Sequence, residues 1–517
     1  MLFSLLDLII SKQFQVEVFN RKTEFDIKKT FSNPVEMELM SESEVVKIEM
    51  PDIKQPANNV DKVVVSEWYD CIRGNKITQR SERNRQIEKV PPLLLKGPNG
   101  QKRNQEYYEP AVVSIGPYHH GRDDLAAAEK YKLITLDEFR LSCEQHSMVS
   151  LDDKVFEVVN DARKCYIDGS TDKYNDEEFN RMMLRDGCFV LFFIECLANW
   201  KKILFLNNEY LGAMGFANIT RDILLLENQI PFVVLQVLLD LRFPDKGKGE
   251  EILNKFFNYL NYGEISNSEE KVFKDKKQPL HLLELYRSYF ISLSCSGIDD
   301  EDWHYVKRNR SFASVTELKA KGIFVMRRTN VDTFKEDIKF YSGCCYGELE
   351  LVFRAVYSNS KAIYLNMIAY EMCPHNPNDF RVSTYIRVMK SLVIHHEDVR
   401  ELRHSNILLH SLGRDEEVVK MYDEIDAPAV NLYMFNQLRE GIEKHCSNKY
   451  KTWAAELINV YFSSPWKTVA LLVATAILFT SFLQTYFSIR PLPDDSNGDL
   501  LKLLRRCVHS KPPSAPA

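Results

Sequence analysis

The run Ile219-Thr-Arg-Asp-Ile-Leu-Leu-Leu-Glu-Asn-Gln-Ile-Pro-Phe-Val-Val-Leu-Gln-Val-Leu-Leu-Asp240 decides how this chain folds, because its two halves are as apolar as a membrane span. Its middle forbids that reading. Glu227-Asn228-Gln229 would put three strongly polar side chains at bilayer depth, and Pro231 removes a helical hydrogen bond. The run therefore reads as two apolar core helices meeting at a polar joint, whose side chains satisfy the backbone groups that a broken helix leaves free. A carboxylate beside two amides also resembles a ligand site; the structural role is the expectation.

A second apolar run has no such interruption. Between Lys467 and Arg490 the chain carries no formal charge, and at the helical rise this run of about 22 residues covers roughly 33 Å, enough to cross a hydrocarbon core. Trp466 and Tyr486 stand where amphipathic rings meet a membrane interface, and the flanking Lys467 and Arg490 can reach headgroups. One large body on a single C-terminal transmembrane helix is expected.

Outward from these two runs, composition sets bounds. A chain of 517 residues with 45% hydrophobic content has ample material for a packed core, which excludes global disorder. A net charge of −6 lacks the basic excess that nucleic-acid binding needs. The eleven cysteines contain no Cys-x-x-Cys pair and suit reduced thiols facing the cytosol. The sequons at Asn218 and Asn309 suit the opposite orientation, as does the excess of Arg490, Lys502, Arg505 and Arg506 over Lys451 and Lys467. A cytosolic body is the reading adopted.

Residues 1–86 show little periodicity and read as a flexible, charged extension with no signal peptide. Ala111 to Ile115 reads as a short strand closed by Gly116-Pro117. Helices follow over 124–146, 154–166 and 179–200, the last a central core helix in which Asp186-Gly187 marks a close helix crossing. After Leu241 a polar, partly mobile insertion is expected, with one helical island at 252–260. Helix returns at 281–293 and 314–319, strand-forming stretches at 322–327, 338–341 and 348–353 suggest a small sheet, and helices resume from Ser360 to about Phe462. The fold class is mainly α (α+β): a helical domain over 87–463, the transmembrane helix at 466–489 and a polar tail at 490–517.

The phrases Val113-Ser-Ile-Gly-Pro-Tyr-His-His-Gly121, Met182-Met-Leu-Arg-Asp-Gly-Cys-Phe-Val190, Asp222-Ile-Leu-Leu-Leu-Glu-Asn-Gln-Ile-Pro-Phe232, Ser314-Val-Thr-Glu-Leu318 and Tyr461-Phe-Ser-Ser-Pro-Trp466 occur in the order seen in a plant family called domain of unknown function 247. The chain resembles that family over roughly 90–490, departing from it at Arg185 and in the first 85 or so residues. The resemblance implies a plant protein with a C-terminal membrane anchor and no established reaction; some grass members are associated with pollen-side self-incompatibility.

No motif identifies a reaction. His395-His-Glu-Asp-Val-Arg-Glu-Leu-Arg-His404 carries Arg at position 400, where a zinc-protease helix needs its second His, and His396 and His404 are too far apart to share one metal. His119-His120 sit in a tight loop where adjacent imidazoles can bind a metal or a phosphate, but two ligands do not complete a zinc site, and a folded turn with hydrogen-bonded histidines is expected. Nucleophile elbow, phosphate loop and dinucleotide turn are all absent. No cofactor or metal is expected. The leading reading is an interaction or recognition module held to a membrane by its last helix, with a protein partner that the sequence does not name. The alternative is an enzyme with an unfamiliar site around His119, His120, Glu227, Asn228 and Gln229.

Overall fold

The computed structural model describes residues 85–96, 103–143, 148–199, 212–263, 278–292, 313–328, 338–344, 346–376, 378–431, 435–453, 457 and 465–489. Most of the expected extension, the sequon at Asn309 and the tail at 490–517 lie outside them.

The fold is mostly helical. At its centre runs α4 (Asp176–Ala198), surrounded by α1 (Ala126–Ser142), α2 (Met148–Phe156), α3 (Val159–Lys164), α6 (Phe232–Arg242) and α7 (Lys246–Tyr262). Its start is written in the sequence. The side chain of Asn175 accepts from the Glu178 amide at 2.8 Å and the Glu178 carboxylate accepts from the Asn175 amide at 3.2 Å, two free helix-end donors satisfied at once. From Phe179 onward α4 buries residues on nearly every side, including Cys188, Phe189 and Phe193. The crossing expected at Asp186-Gly187 is made against α6: a Cβ on Gly187 would lie 2.4 Å from Leu238 Cδ1, so any larger residue must displace that buried side chain.

Of the two apolar helices expected in the opening run only the second forms as expected, as α6; α5 (Gly212–Asp222) ends four residues into the run, and the buried residues 223–226 belong to a non-helical joint that spans 223–231. The expected helical island at 252–260 is a longer helix, α7. Asp245 caps its start by accepting from the Gly247 amide at 3.1 Å, and Leu253, Phe256 and Phe257 are buried, so tertiary packing carries a helix whose first turn reads as polar linker.

Beyond α8 (Leu282–Ser292) and the capped α9 (Val315–Ala320) lies the small sheet. Strands β1 (Ile323–Arg327) and β3 (Gly347–Leu351) are parallel, β2 (Ile338–Ser342) joins β3 antiparallel, and Leu349 faces both Val325 and Phe340 in register. The helices α10 (Ser360–Met372), α11 (Arg381–Leu392), α12 (His396–His404), α13 (Asp415–Glu424) and α14 (Asn436–Ser447) follow, but not without a break. Strand β5 (Leu408–His410) pairs parallel with β4 (Arg354–Val356), a two-stranded ribbon too short to leave a periodic signal. The last element is α15 (Pro465–Ile489). Its segment Trp466–Tyr486 is the one helix among the described residues long and apolar enough to span a membrane, and none of it is buried.

Candidate functional site

The joint is built from side chains that act as backbone partners. Helix α5 stops at Asp222, whose carboxylate gathers three successive amides of a loop more than a hundred residues earlier: Ala111 at 3.0 Å, Val112 at 2.8 Å and Val113 at 3.1 Å. Arg221 pairs with the same carboxylate at 3.0 Å. Asn228 continues the work, accepting from the Ile115 amide at 2.7 Å while its Nδ2 donates to Val113 O at 3.0 Å and Asp222 O at 2.9 Å.

These bonds correct one expectation. Residues 111–115 form no strand, because the partner of their backbone is a pair of side chains rather than a second chain segment. The loop ends at Gly116, whose φ of +74° and close approach to Gln229 O, 2.4 Å from where a Cβ would stand, both require glycine. Its amide donates to Asp186 Oδ2 at 2.8 Å, and the other oxygen of Asp186 holds the fully buried Lys132 at 2.7 Å.

Gln229 closes the inner side. Its Nε2 donates to Ile223 O at 2.9 Å and Leu225 O at 2.8 Å, its Oε1 accepts from the Leu283 amide at 3.1 Å, and its own carbonyl accepts from Tyr166 Oη at 2.9 Å. Leu226 is secured from the other side by Asn366 Oδ1 at 2.8 Å. Asn228 is 0% and Gln229 2% exposed, so neither presents an atom to solvent or to a ligand.

Glu227 differs from its two neighbours. One oxygen accepts from the Val90 amide at 2.7 Å, and the other stands 3.9 Å from His119 Nε2, too long for a hydrogen bond. Burial raises the Glu227 carboxyl above the usual carboxylate range. Burial, helped by the positive Arg122, pushes His119 down to about 4, so the imidazole is neutral near pH 7. The expected turn forms over 117–121, but His119 Nε2 and His120 Nδ1 are buried in it without a hydrogen bond. The two rings have different surroundings: His119 sits beside Glu227, whereas His120 lies edge to face against Tyr174 at 5.8 Å.

The structure thus brings His119 and Glu227 together and leaves Asn228 and Gln229 in the framework. Among the described residues no group of three or more His, Cys, Asp or Glu side chains is placed to hold a metal ion. His396 pairs with Glu397 at 3.1 Å on α12. Sequence reasoning did not single out Asp222 or Lys132, although an aspartate immediately before an unbroken apolar run was a visible signal. It also did not anticipate a cleft of about 240 Å³ lined by residues that include Thr220, Tyr259, Asn261, Tyr286, Ser360 and Tyr364, drawn from segments too far apart in the chain to read as a motif.

Residues 87–480 match a family described as a plant protein of unknown function. The chain is similar to UPF0481 protein At3g47200 of Arabidopsis thaliana, 25% identical over 430 residues that cover 77% of this chain and 86% of that protein. It is also similar to the putative UPF0481 protein At3g02645 of Arabidopsis thaliana, 20% identical over 472 residues, 73% of this chain and 86% of that protein. No solved structure matches the chain.

Proposed function

The chain belongs to the plant family domain of unknown function 247, and from that premise we propose that it is an interaction module held at a membrane by α15. The observation that carries the reading is the surface of α15: Leu472, Val473, Ile477, Leu478, Phe479 and Phe482 are all exposed, an apolar surface that water does not favour and lipid does. Its hydroxyls suit the same solvent. Thr475 Oγ1 donates to Leu472 O at 2.8 Å, Thr480 to Ile477 O at 2.9 Å and Thr485 to Ser481 O at 2.9 Å, so these polar groups are satisfied within the helix.

The body is cytosolic in this reading. The sequon at Asn218 lies on α5 with Thr220 buried, its hydroxyl donating to Phe216 O at 3.0 Å, whereas a glycan acceptor belongs on an accessible loop. A partner surface is supported by α1, whose Leu133, Ile134 and Leu141 are exposed large apolar side chains on an otherwise polar outer face. The test is fractionation with proximity labelling in plant cells. The full chain resists carbonate extraction, truncation before Trp466 releases it, and Ile134→Glu with Leu141→Glu removes labelled neighbours while the protein stays folded and membrane-bound. A truncated chain held as firmly as the parent contradicts the anchor, and an unchanged neighbour set contradicts the α1 surface.

One observation favours the enzyme alternative: a neutral His119 faces Glu227 with no bond between them. That pair could share a proton with a bound molecule. A ligand or turnover lost on His119→Gln with an unchanged melting temperature would promote it.

A further inference from the structure

We propose that the chain meets the membrane before α15 begins, through a face made by Tyr450, Trp453 and Leu457 that rests in the headgroup layer of an anionic lipid surface. This rests on the reading of α15 as the anchor. Residues 449–453 are helical, which puts Tyr450 and Trp453 at i and i+3 on one side of a helix, and Leu457 is helical as well. They are 79%, 62% and 48% exposed. One exposed apolar residue needs no explanation, but two exposed rings in contact, with a third exposed apolar side chain four positions further along the chain, do. The rings of Tyr450 and Trp453 meet edge to face with centroids 6.0 Å apart, so they form one patch rather than two isolated side chains.

The composition of the patch selects its occupant. Tyr and Trp combine an apolar body with a polar tip, which suits the boundary between water and hydrocarbon. Lys449 is exposed beside them and favours anionic headgroups, whereas on the preceding α14 the exposed Lys444 is offset by the exposed Glu440 and Glu443. The patch is also tied to the body: Lys451 Nζ donates to Ser342 Oγ at 2.6 Å, at the end of β2. Continuity along the chain gives the second argument. Leu457 precedes Trp466 by nine residues, so the patch lies within about 32 Å of the start of the apolar helix even if the connection is fully extended. Lipid is therefore within reach whenever the anchor is inserted.

The test uses the full chain labelled with 5-fluorotryptophan and reconstituted into bilayers of equal parts phosphatidylserine and phosphatidylcholine, with a trace of nitroxide-headgroup lipid. Of the five tryptophan resonances, Trp453→Phe and Trp466→Phe assign those of positions 453 and 466, with Trp453→Tyr as a second assignment if the first variant folds poorly. The expected result is that both resonances are broadened several-fold, and that the broadening of Trp453 weakens when phosphatidylserine is replaced by phosphatidylcholine. A broadened Trp466 beside a sharp Trp453 overturns the inference and leaves the anchor standing. A Trp453 resonance that is shifted but protected from the nitroxide also overturns it, because the patch is then covered by protein. Two sharp resonances sink both readings.

Discussion

The runs 219–240 and 465–489 are alike in hydropathy and opposite in fate. Both are rich in Leu, Val and Ile, and both contain polar residues. In the first, Asp222, Asn228 and Gln229 reach outward to the backbone of other segments and draw the run into the core. In the second, the threonines at 475, 480 and 485 turn back onto their own helix and ask nothing of the rest of the protein. What separates a core helix from a membrane-suited one is therefore where its polar groups find partners, more than how apolar it is.

The sharpest way to break the comparison is to remove the residue that does most to make the first run a core element. Asp222→Ala leaves three loop amides and Arg221 without their shared carboxylate, and the expected loss is about 3 to 5 kcal/mol of stability. Denaturant unfolding of the full chain in a mild detergent measures it. A loss below 1 kcal/mol would mean that the loop 111–116 is held by something else.

Acidification gives the next effect. His119 is pushed down to about 4, below its ordinary 6.5, because burial disfavours the cation. His281 is fully buried and pushed down to about 3 for the same reason. Below pH 6.5 the unfolded chain takes up protons that the folded chain refuses, so this contribution is complete above 6.5 and is lost as pH falls through 6.5 toward the folded values. Down to pH 5, His119 alone accounts for on the order of 2 kcal/mol. The two histidines lower the melting temperature between pH 7 and 5, the raised Glu227 carboxyl acts in the opposite sense, and His119→Gln should remove the share of the fall that belongs to His119. An equally steep slope in the variant would assign the effect to other groups.

Asn228→Leu comes third. It leaves the Ile115 amide and the Val113 and Asp222 carbonyls without their partner, at a cost of roughly 1 to 3 kcal/mol, and partner binding measured well below the transition should be unchanged. Lost binding with an unchanged melt would turn the joint from framework into ligand site. Glu227→Gln is the smallest. Its amide oxygen still accepts from Val90, so the melt should move by less than about 1 kcal/mol. The contrast between positions 227 and 228 separates the accessible residue of the joint from the buried one.

How much of this was legible follows from the range of the interactions. The central helix, the glycine at position 187 and the polar interruption of the run were readable, because each leaves a local mark in the sequence even where its partner is distant. The strands of the sheet were readable from their own β-forming residues, though β1 and β3 pair across roughly twenty residues of chain. Loop 111–115 was misread as a strand because its hydrogen-bond partners, Asp222 and Asn228, lie more than a hundred residues away and carry no periodicity. The start of α7 and strand β5 were missed because burial against distant elements, rather than local pattern, decides them. At the candidate site the residue types were legible and their separation was not: sequence gives Glu227, Asn228 and Gln229 equal standing, and only packing turns one toward His119 and two inward.

The central claim is that the second run crosses a bilayer with the body in the cytosol. Glycan mapping tests it most directly, with an acceptor tag appended after Ala517 and a second one inserted into the turn at Gly413, where a side chain would meet open space. The account predicts a glycan on the C-terminal tag, none at the turn, and retention of the protein in the carbonate pellet. A glycan at the turn would reverse the orientation, and glycans at neither position together with release by carbonate would contradict a membrane-spanning α15.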